Sequence, residues 1–289
     1  MSILVIGATG AIGSLVVQGL AAAGAKVDAF VRKPGTQRFP AGVNERVGDL
    51  ADVASLRAAM ASARTVFLLN AVTPDEVTQA LVALNVAREA GIERIVYLSV
   101  IHADRYTNVP HFTGKHTVER MIESLDMPAT ILRPAYFMQN DLTIQQVVRE
   151  HGVYPMPIGA SGVAMIDTRD IADIAVAELL RRDTAPAALP RVTLDLVGPD
   201  AMTGDAAATT WSDALGRDVI HGGNDLAAFE RQLASFSPSW LAYDMRLMMA
   251  GIQKIGMRGD AGAVERLEGI LGRPMRTYAA FVGEAVRAG

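Results

Sequence analysis

The chain has 289 residues, half of them hydrophobic, and a formal net charge of −4, enough apolar material for one large domain or a domain with an appendage. The acidic balance and the lack of any Lys/Arg-rich block argue against a nucleic-acid surface, and the absence of cysteine excludes disulfides, thiol nucleophiles and thiolate metal sites. No apolar run reaches membrane-spanning length, and an apolar strand already at residue 3 leaves no room for a secretion signal, so a cytoplasmic, soluble protein is the expectation.

The first predicted element is a short aliphatic strand from Ile3 to Ile6, followed by Gly7-Ala8-Thr9-Gly10-Ala11-Ile12-Gly13 and a helix from Ala11 to about Ala23. Each glycine has a physical use in a strand-turn-helix unit. Gly7 lets the chain turn sharply out of the strand, Gly10 leaves no side chain between the backbone and a pyrophosphate, and Gly13 lets the helix pack close to the strand. The helix N-terminus offers N–H groups and a positive dipole end to phosphates. An ordinary tight turn would use the same residues; the flanking strand and helix favour a dinucleotide site.

Gly24 reads as a helix C-cap, and Lys26 to Val31 as the second strand. Arg32 and Lys33 follow it, where a carboxylate would select a free ribose 2′-hydroxyl and an arginine accommodates a 2′-phosphate. That points to NADP over NAD, although two solvated loop charges would look the same. Val43 to Val47 is the third strand, ending in Gly48-Asp49-Leu50, with a helix opening at Ala51-Asp52. Thr65 to Leu69 is the fourth, ending at Asn70-Ala71. Pro74 opens a helix to about Ala90, and Arg94 to Leu98 is the fifth strand, ending at Ser99. Alternating strands and helices predict a parallel sheet covered on both faces, with ligands at the carboxyl ends of the strands.

A looser stretch, Ile101 to Pro110, leads to a helix from His111 to Leu125 and a sixth strand from Pro128 to Leu132, ended by Arg133-Pro134. Ala135 to Asn140 should lie above the sheet edge, before a helix to about Glu150. Gly152 to Pro157 reads as a loop, Val163 to Ile166 as a short strand, and Asp170 as the N-cap of a helix to about Arg181. After a linker, Arg191 to Val197 alternates as a seventh strand. Beyond residue 200 helices dominate, at Met202–Leu215, Asp225–Phe236, Pro238–Ile255, Asp260–Leu271 and Tyr278–Val286. Met245, Met248, Met249 and Met257, with Phe236, Trp240 and Tyr243, serve either as a plain helical core or as the wall of an apolar substrate pocket. His111 and His116 are five apart, on different helix faces, and His102, His151 and His221 are isolated, so no metal site is expected. No internal repeat is visible.

The whole chain resembles the short-chain dehydrogenase/reductase superfamily, in its atypical NmrA-like branch. The residues that carry this are Gly7 to Gly13, Gly48-Asp49-Leu50, Lys115 with Glu119, the stretch Ile131-Leu132-Arg133-Pro134-Ala135-Tyr136-Phe137-Met138-Gln139-Asn140, and Leu271-Gly272-Arg273-Pro274 with Phe281-Val282. The resemblance implies an α/β fold: a Rossmann-like doubly wound parallel sheet with a small, mainly helical C-terminal substrate-binding region. Residues 1–150 would form the NADP-binding core and 151–289 the remaining strands and the helical region. It also implies roles. Asp49 resembles the carboxylate that accepts from the adenine amino group, with a simple helix-start aspartate as the alternative. Arg32 resembles the 2′-phosphate arginine, Asn70 and Ala71 would line the adenosine ribose side, and Lys115 resembles the lysine that bonds the nicotinamide ribose.

One departure matters. Superfamily enzymes pair that lysine with a tyrosine four residues earlier, and here that residue is His111. Residues four apart share a helix face, so His111, Tyr136 and a water held by Ser99 become candidate proton donors, with a surface role for His111 as the alternative. The branch contains quinone and aromatic-dye reductases as well as regulators that bind NADP without catalysis. The first expectation is an NADP-dependent oxidoreductase passing a hydride to a small apolar, quinone-like or aromatic or enone carbonyl substrate. The second is a non-catalytic NADP(H)-binding redox sensor acting through a protein partner. A small-molecule substrate is expected, without nucleic acid or membrane, and a second copy of the chain is a candidate partner.

Overall fold

The computed structural model describes residues 1–35 and 37–288. They form two compact units that interleave along the chain: Met1–Val100, Gly114–Arg133 and Arg169–Leu194 in the first, and Ile101–Thr113, Pro134–Thr168 and the chain from Asp195 onward in the second. The division at residue 150 follows chain order, whereas these units follow contacts.

The elements, in order, are β1 (Ser2–Ile6), α1 (Ala11–Ala22), β2 (Val27–Val31), β3 (Asn44–Val47), α2 (Val53–Met60), β4 (Ala63–Leu68), α3 (Glu76–Glu89), β5 (Ile95–Leu98), α4 (Pro110–Ser124) and β6 (Ala129–Pro134). A 3₁₀ turn over Met138–Thr143, α5 (Gln145–His151), β7 (Val153–Tyr154), β8 (Val163–Ala164), α6 (Thr168–Thr184), β9 (Val192–Leu196) and β10 (Ala201–Met202) follow. The chain ends with α7 (Gly204–Leu215), β11 (Ile220–His221), α8 (Leu226–Ala234), α9 (Ser239–Ile255), α10 (Ala263–Leu271) and α11 (Tyr278–Ala288).

The main sheet has seven strands in the order β3-β2-β1-β4-β5-β6-β9. From β3 through β6 every pairing is parallel, with Ile3 beside Val27 and Thr65, and Val96 beside Phe67 and Thr130. β1, β2 and β5 are buried along their whole length, which is why β1 and β5 read as apolar runs, while β2 carries the buried Asp28 paired with Arg46. Strand order reverses between β1 and β4, the switch point where open α/β sheets bind ligands. Leu56, Met60, Leu84, Ile122 and Ile131 pack with Leu4, Ile6 and Leu68 into one apolar core.

The second unit is built around Trp211, Tyr154 and Tyr278, all fully buried. Its two small sheets pair β7 with β11 in parallel and β10 with β8 in antiparallel fashion. Met248, Met249 and Met257 are buried core residues, whereas Phe236, Trp240 and Tyr243 are exposed.

The structure corrects several expected boundaries. α6 begins at Thr168, so Asp170 lies inside its first turn and is not the N-cap, although a carboxylate there still suits the helix dipole. The expected loop at Gly152–Pro157 contains β7, and Gly152 ends α5 with φ of 64°. β6 runs on through Arg133 and Pro134. Helix α3 starts at Glu76, one turn edge beyond Pro74.

Candidate cofactor and proton-transfer site

The turn after β1 gives its three glycines three different jobs. Gly7 has φ of 82°, a left-handed conformation that side chains resist, and a Cβ there would lie 2.6 Å from the Leu69 carbonyl oxygen. A Cβ on Gly13 would lie 2.0 Å from the Gly7 carbonyl oxygen, so only a bare Cα lets α1 sit against the turn. Gly10 is the N-cap of α1 with an ordinary φ of −78°, and a Cβ there would have only the Gly7 oxygen nearby, at 3.4 Å. Its backbone asks nothing special; what Gly10 provides is open space in front of the N-terminus of α1.

That space belongs to a cavity of about 350 Å³ at the carboxyl ends of β1, β2 and β4. Of the sequence candidates it is lined by Gly7, Thr9, Gly10, Arg32, Asp49, Leu50, Asn70 and Ala71. Ala8, Ile12 and Gly13 are buried in the turn and helix behind it, and Ala11, Lys33 and Lys115 are not part of its wall. Phe30, Leu69, Thr73 and Gln79 also line it; Gln79 lies on α3, whose cavity-facing side no motif marks. Asp49 is not in a helix: its Oδ1 accepts from the Ala51 N–H at 2.8 Å, and Asp52 caps α2 instead.

The cavity suits a dinucleotide. Asn70 is only 4% exposed, yet neither its amide nitrogen nor its carbonyl oxygen has a hydrogen-bond partner in the protein. A buried amide left in that state costs on the order of 1–3 kcal/mol per group unless a ligand or water satisfies it. With the bare Gly10 before a helix N-terminus and the cationic Arg32 at the β2 end, the wall offers donors to phosphates and an amide to a ribose or base. Among the described residues no group of three or more His, Asp or Glu could hold a metal ion.

Two further polar clusters lie in the first unit. Lys115 on α4 donates to Glu76 Oε1 at 2.6 Å, and both side chains are buried. Glu76 opens α3, where a carboxylate suits the dipole. Ser99, 2% exposed, donates its hydroxyl to Glu119, whose carboxylate is also gripped by a two-pronged fork from Arg133. Ser99 is thereby oriented as an acceptor.

In the second unit, His111 sits in the first turn of α4 with its side chain 9% exposed, and its Nδ1 contacts Asp244 Oδ2. The other oxygen of Asp244 accepts the backbone N–H of His111 at 3.2 Å. Tyr136 is buried beside Asp141; burial first, and the neighbouring carboxylate second, hold its hydroxyl well above the ordinary tyrosine range. Asp141 itself accepts from Tyr154 at 3.1 Å and from Tyr278, which in turn accepts from Trp211 Nε1 at 3.0 Å. Sequence reasoning named His111, Lys115, Ser99 and Tyr136 without their partners. Asp244, Glu76 and Asp141 became visible only through the fold, and Glu119, marked in the sequence beside Lys115, turns out to be the partner of Ser99.

Residues 1–256 match the NmrA-like family. The chain is 32% identical over 284 residues to an NAD(P)H azoreductase of Xenophilus azovorans, covering 96% of each chain. It is 28% identical over 287 residues to quinone oxidoreductase 2 of Escherichia coli, covering 97% of each. The crystal structure of an NADPH-dependent quinone oxidoreductase from Escherichia coli superposes with a TM-score of 0.84 at 25% identity, over 98% of each chain.

Proposed function

The chain belongs to the NmrA-like family, and from that membership we propose that it is an NADPH-dependent oxidoreductase that reduces quinones and related conjugated or aromatic acceptors. The observation that carries the proposal is the cavity at the sheet switch point, with Gly10 open and Asn70 unsatisfied. Relatives that reduce azo compounds and quinones, matched over nearly their full length, support the substrate class.

When bound, the nicotinamide cofactor supplies the hydride. This chain's residues do the rest. Gly10 and the N-terminal N–H groups of α1 receive the pyrophosphate, Arg32 meets the 2′-phosphate, and Asn70 gives a donor and an acceptor on the ribose side. Lys115, held by Glu76, is presented toward the nicotinamide ribose. Reducing a quinone oxygen leaves an anion that needs a proton. His111, four residues before Lys115 on the same helix face, gives that proton from Nε2. Ser99 keeps its own proton on Glu119 and holds a water by accepting from it. Tyr136 stays protonated in the interior, so it is second in line to His111. Among the described residues no helix is long and apolar enough to cross a membrane, and a cytoplasmic location belongs to the proposal.

The test is turnover with identified products. Purified protein is given NADPH and, separately, a naphthoquinone, an azo dye, an enone and an aliphatic aldehyde. Hydroquinone and cleaved azo products are expected, with little product from the aliphatic aldehyde. Tight NADPH binding with no product from any acceptor would instead favour a sensor.

A further inference from the structure

The segment that carries His111 is fastened to α9. The Tyr106 ring lies over Gly251, where an added Cβ would come within 2.4 Å of it, and the Tyr106 hydroxyl donates to the Gly256 carbonyl at 2.7 Å. Phe112 stacks on Tyr106, with ring centroids 4.8 Å apart. Asp244, on the same helix α9, is fully buried, and both its carboxylate oxygens serve His111: Oδ1 takes the backbone N–H and Oδ2 meets Nδ1. A buried carboxylate needs a partner that justifies its desolvation, and removing the partner of such a pair is strongly destabilising.

We propose that Asp244 is the positioning residue of the reduction: it holds the His111 ring by Nδ1–H and so makes Nε2 the atom that carries and delivers the proton. This rests on the reading of His111 as proton donor. With Nδ1–H bonded to the carboxylate, the neutral ring has its lone pair on Nε2. In the protonated ring, the Nε2–H bond breaks as the new O–H bond forms on the reduced acceptor. The imidazole is left neutral with Nδ1–H still on Asp244, and solvent returns a proton to Nε2. The pair follows the same physical logic as other carboxylate-oriented histidines, in which the carboxylate fixes tautomer and ring angle and does not itself take the proton.

The experiment compares Asp244→Asn, His111→Ala and the double variant in naphthoquinone reduction, NADPH affinity and the ¹⁵N spectrum of His111. Asparagine keeps the shape but can offer its amide N–H to Nδ1, which drives the ring proton to Nε2. Asp244→Asn is expected to lower kcat by about a hundredfold or more, as loss of the correct tautomer does elsewhere, and to leave NADPH affinity within about twofold. The ¹⁵N signals should change from an Nδ1–H to an Nε2–H pattern, and the double variant should be no slower than His111→Ala. Asp244→Glu restores a carboxylate and should recover the Nδ1–H pattern and part of the rate; it also serves if the asparagine variant fails to fold. A slow His111→Ala beside a fully active Asp244→Asn would overturn the role of Asp244 while leaving the His111 reading standing. A slow Asp244→Asn with an unchanged tautomer would reduce Asp244 to a structural residue. Full turnover by His111→Ala would remove the reading on which the proposal rests.

Discussion

At the scale of residues, the charged and orphaned groups decide what the cavity takes. Arg32 directly follows β2 on the cavity wall. A charge-assisted fork to a 2′-phosphate is worth roughly 1.5–3 kcal/mol, and 1.4 kcal/mol is about tenfold in affinity. Arg32→Ala should therefore weaken NADPH at least about tenfold by calorimetry and leave NADH nearly unchanged; an equal loss for both cofactors would place the guanidinium away from the 2′-phosphate. Asp141 supplies a pH signature. Burial raises its pKa from 3.8 to about 6, against the lowering effect of the bonds from Tyr278, Tyr154 and Tyr136. A raised carboxylate pKa means that the fold prefers the protonated form. Its favourable contribution is complete below the unfolded value and is lost as pH rises from about 4 to about 6, by about 3 kcal/mol, and is constant above that. Denaturant unfolding across that window should show a decline that Asp141→Asn flattens; parallel curves would mean that the group titrates normally. Arg32 and Asn70 were legible as cavity residues because they closely follow strands that the pattern locates. Asp141 and Asp244 were not, because their partners Tyr278 and His111 lie 137 and 133 residues away in sequence.

At the scale of elements, parallel strands such as β1 and β5 were readable because strands buried on both faces are short apolar runs, and both are buried throughout. The two-residue strands β7, β8, β10 and β11 carry no period to read. α6 was placed three residues late because a buried Asp170 in a first turn looks, in sequence, like a cap. The β1–α1 connection gives the sharpest element-level prediction. Gly13→Ala puts a methyl 2.0 Å from a backbone oxygen that cannot rotate away. Overpacking of this kind typically costs about 1–3 kcal/mol and occasionally more. The variant should unfold at clearly lower denaturant than the parent. Unchanged stability would mean that α1 can slide along the turn without loss.

At the scale of the whole molecule, the chain crosses between its two units several times, at Val100, Thr113, Arg133, Thr168 and Leu194. Chain order alone does not reveal this, because the crossings fall after β5, inside α4, at the end of β6, in the first turn of α6 and within β9. The glycine turn, the Arg-Pro stretch and the strand-helix alternation were enough to reach the NmrA-like family and its reductases. The charge partners that tune proton transfer needed the folded structure. The central claim is that this cavity feeds a reductase. Its most direct test is NADPH consumption with a naphthoquinone by the parent protein and by Gly10→Val. Gly10 has an ordinary φ and open space around its Cα, so the valine should be tolerated by the fold at the modest cost of a poorer N-cap, about 1 kcal/mol, while its side chain fills the pyrophosphate space. The expected result is steady NADPH consumption with hydroquinone formation by the parent, and none by a Gly10→Val protein that unfolds at close to the parental denaturant concentration. Equal consumption by the two proteins, or none by a parent that binds NADPH, would contradict it.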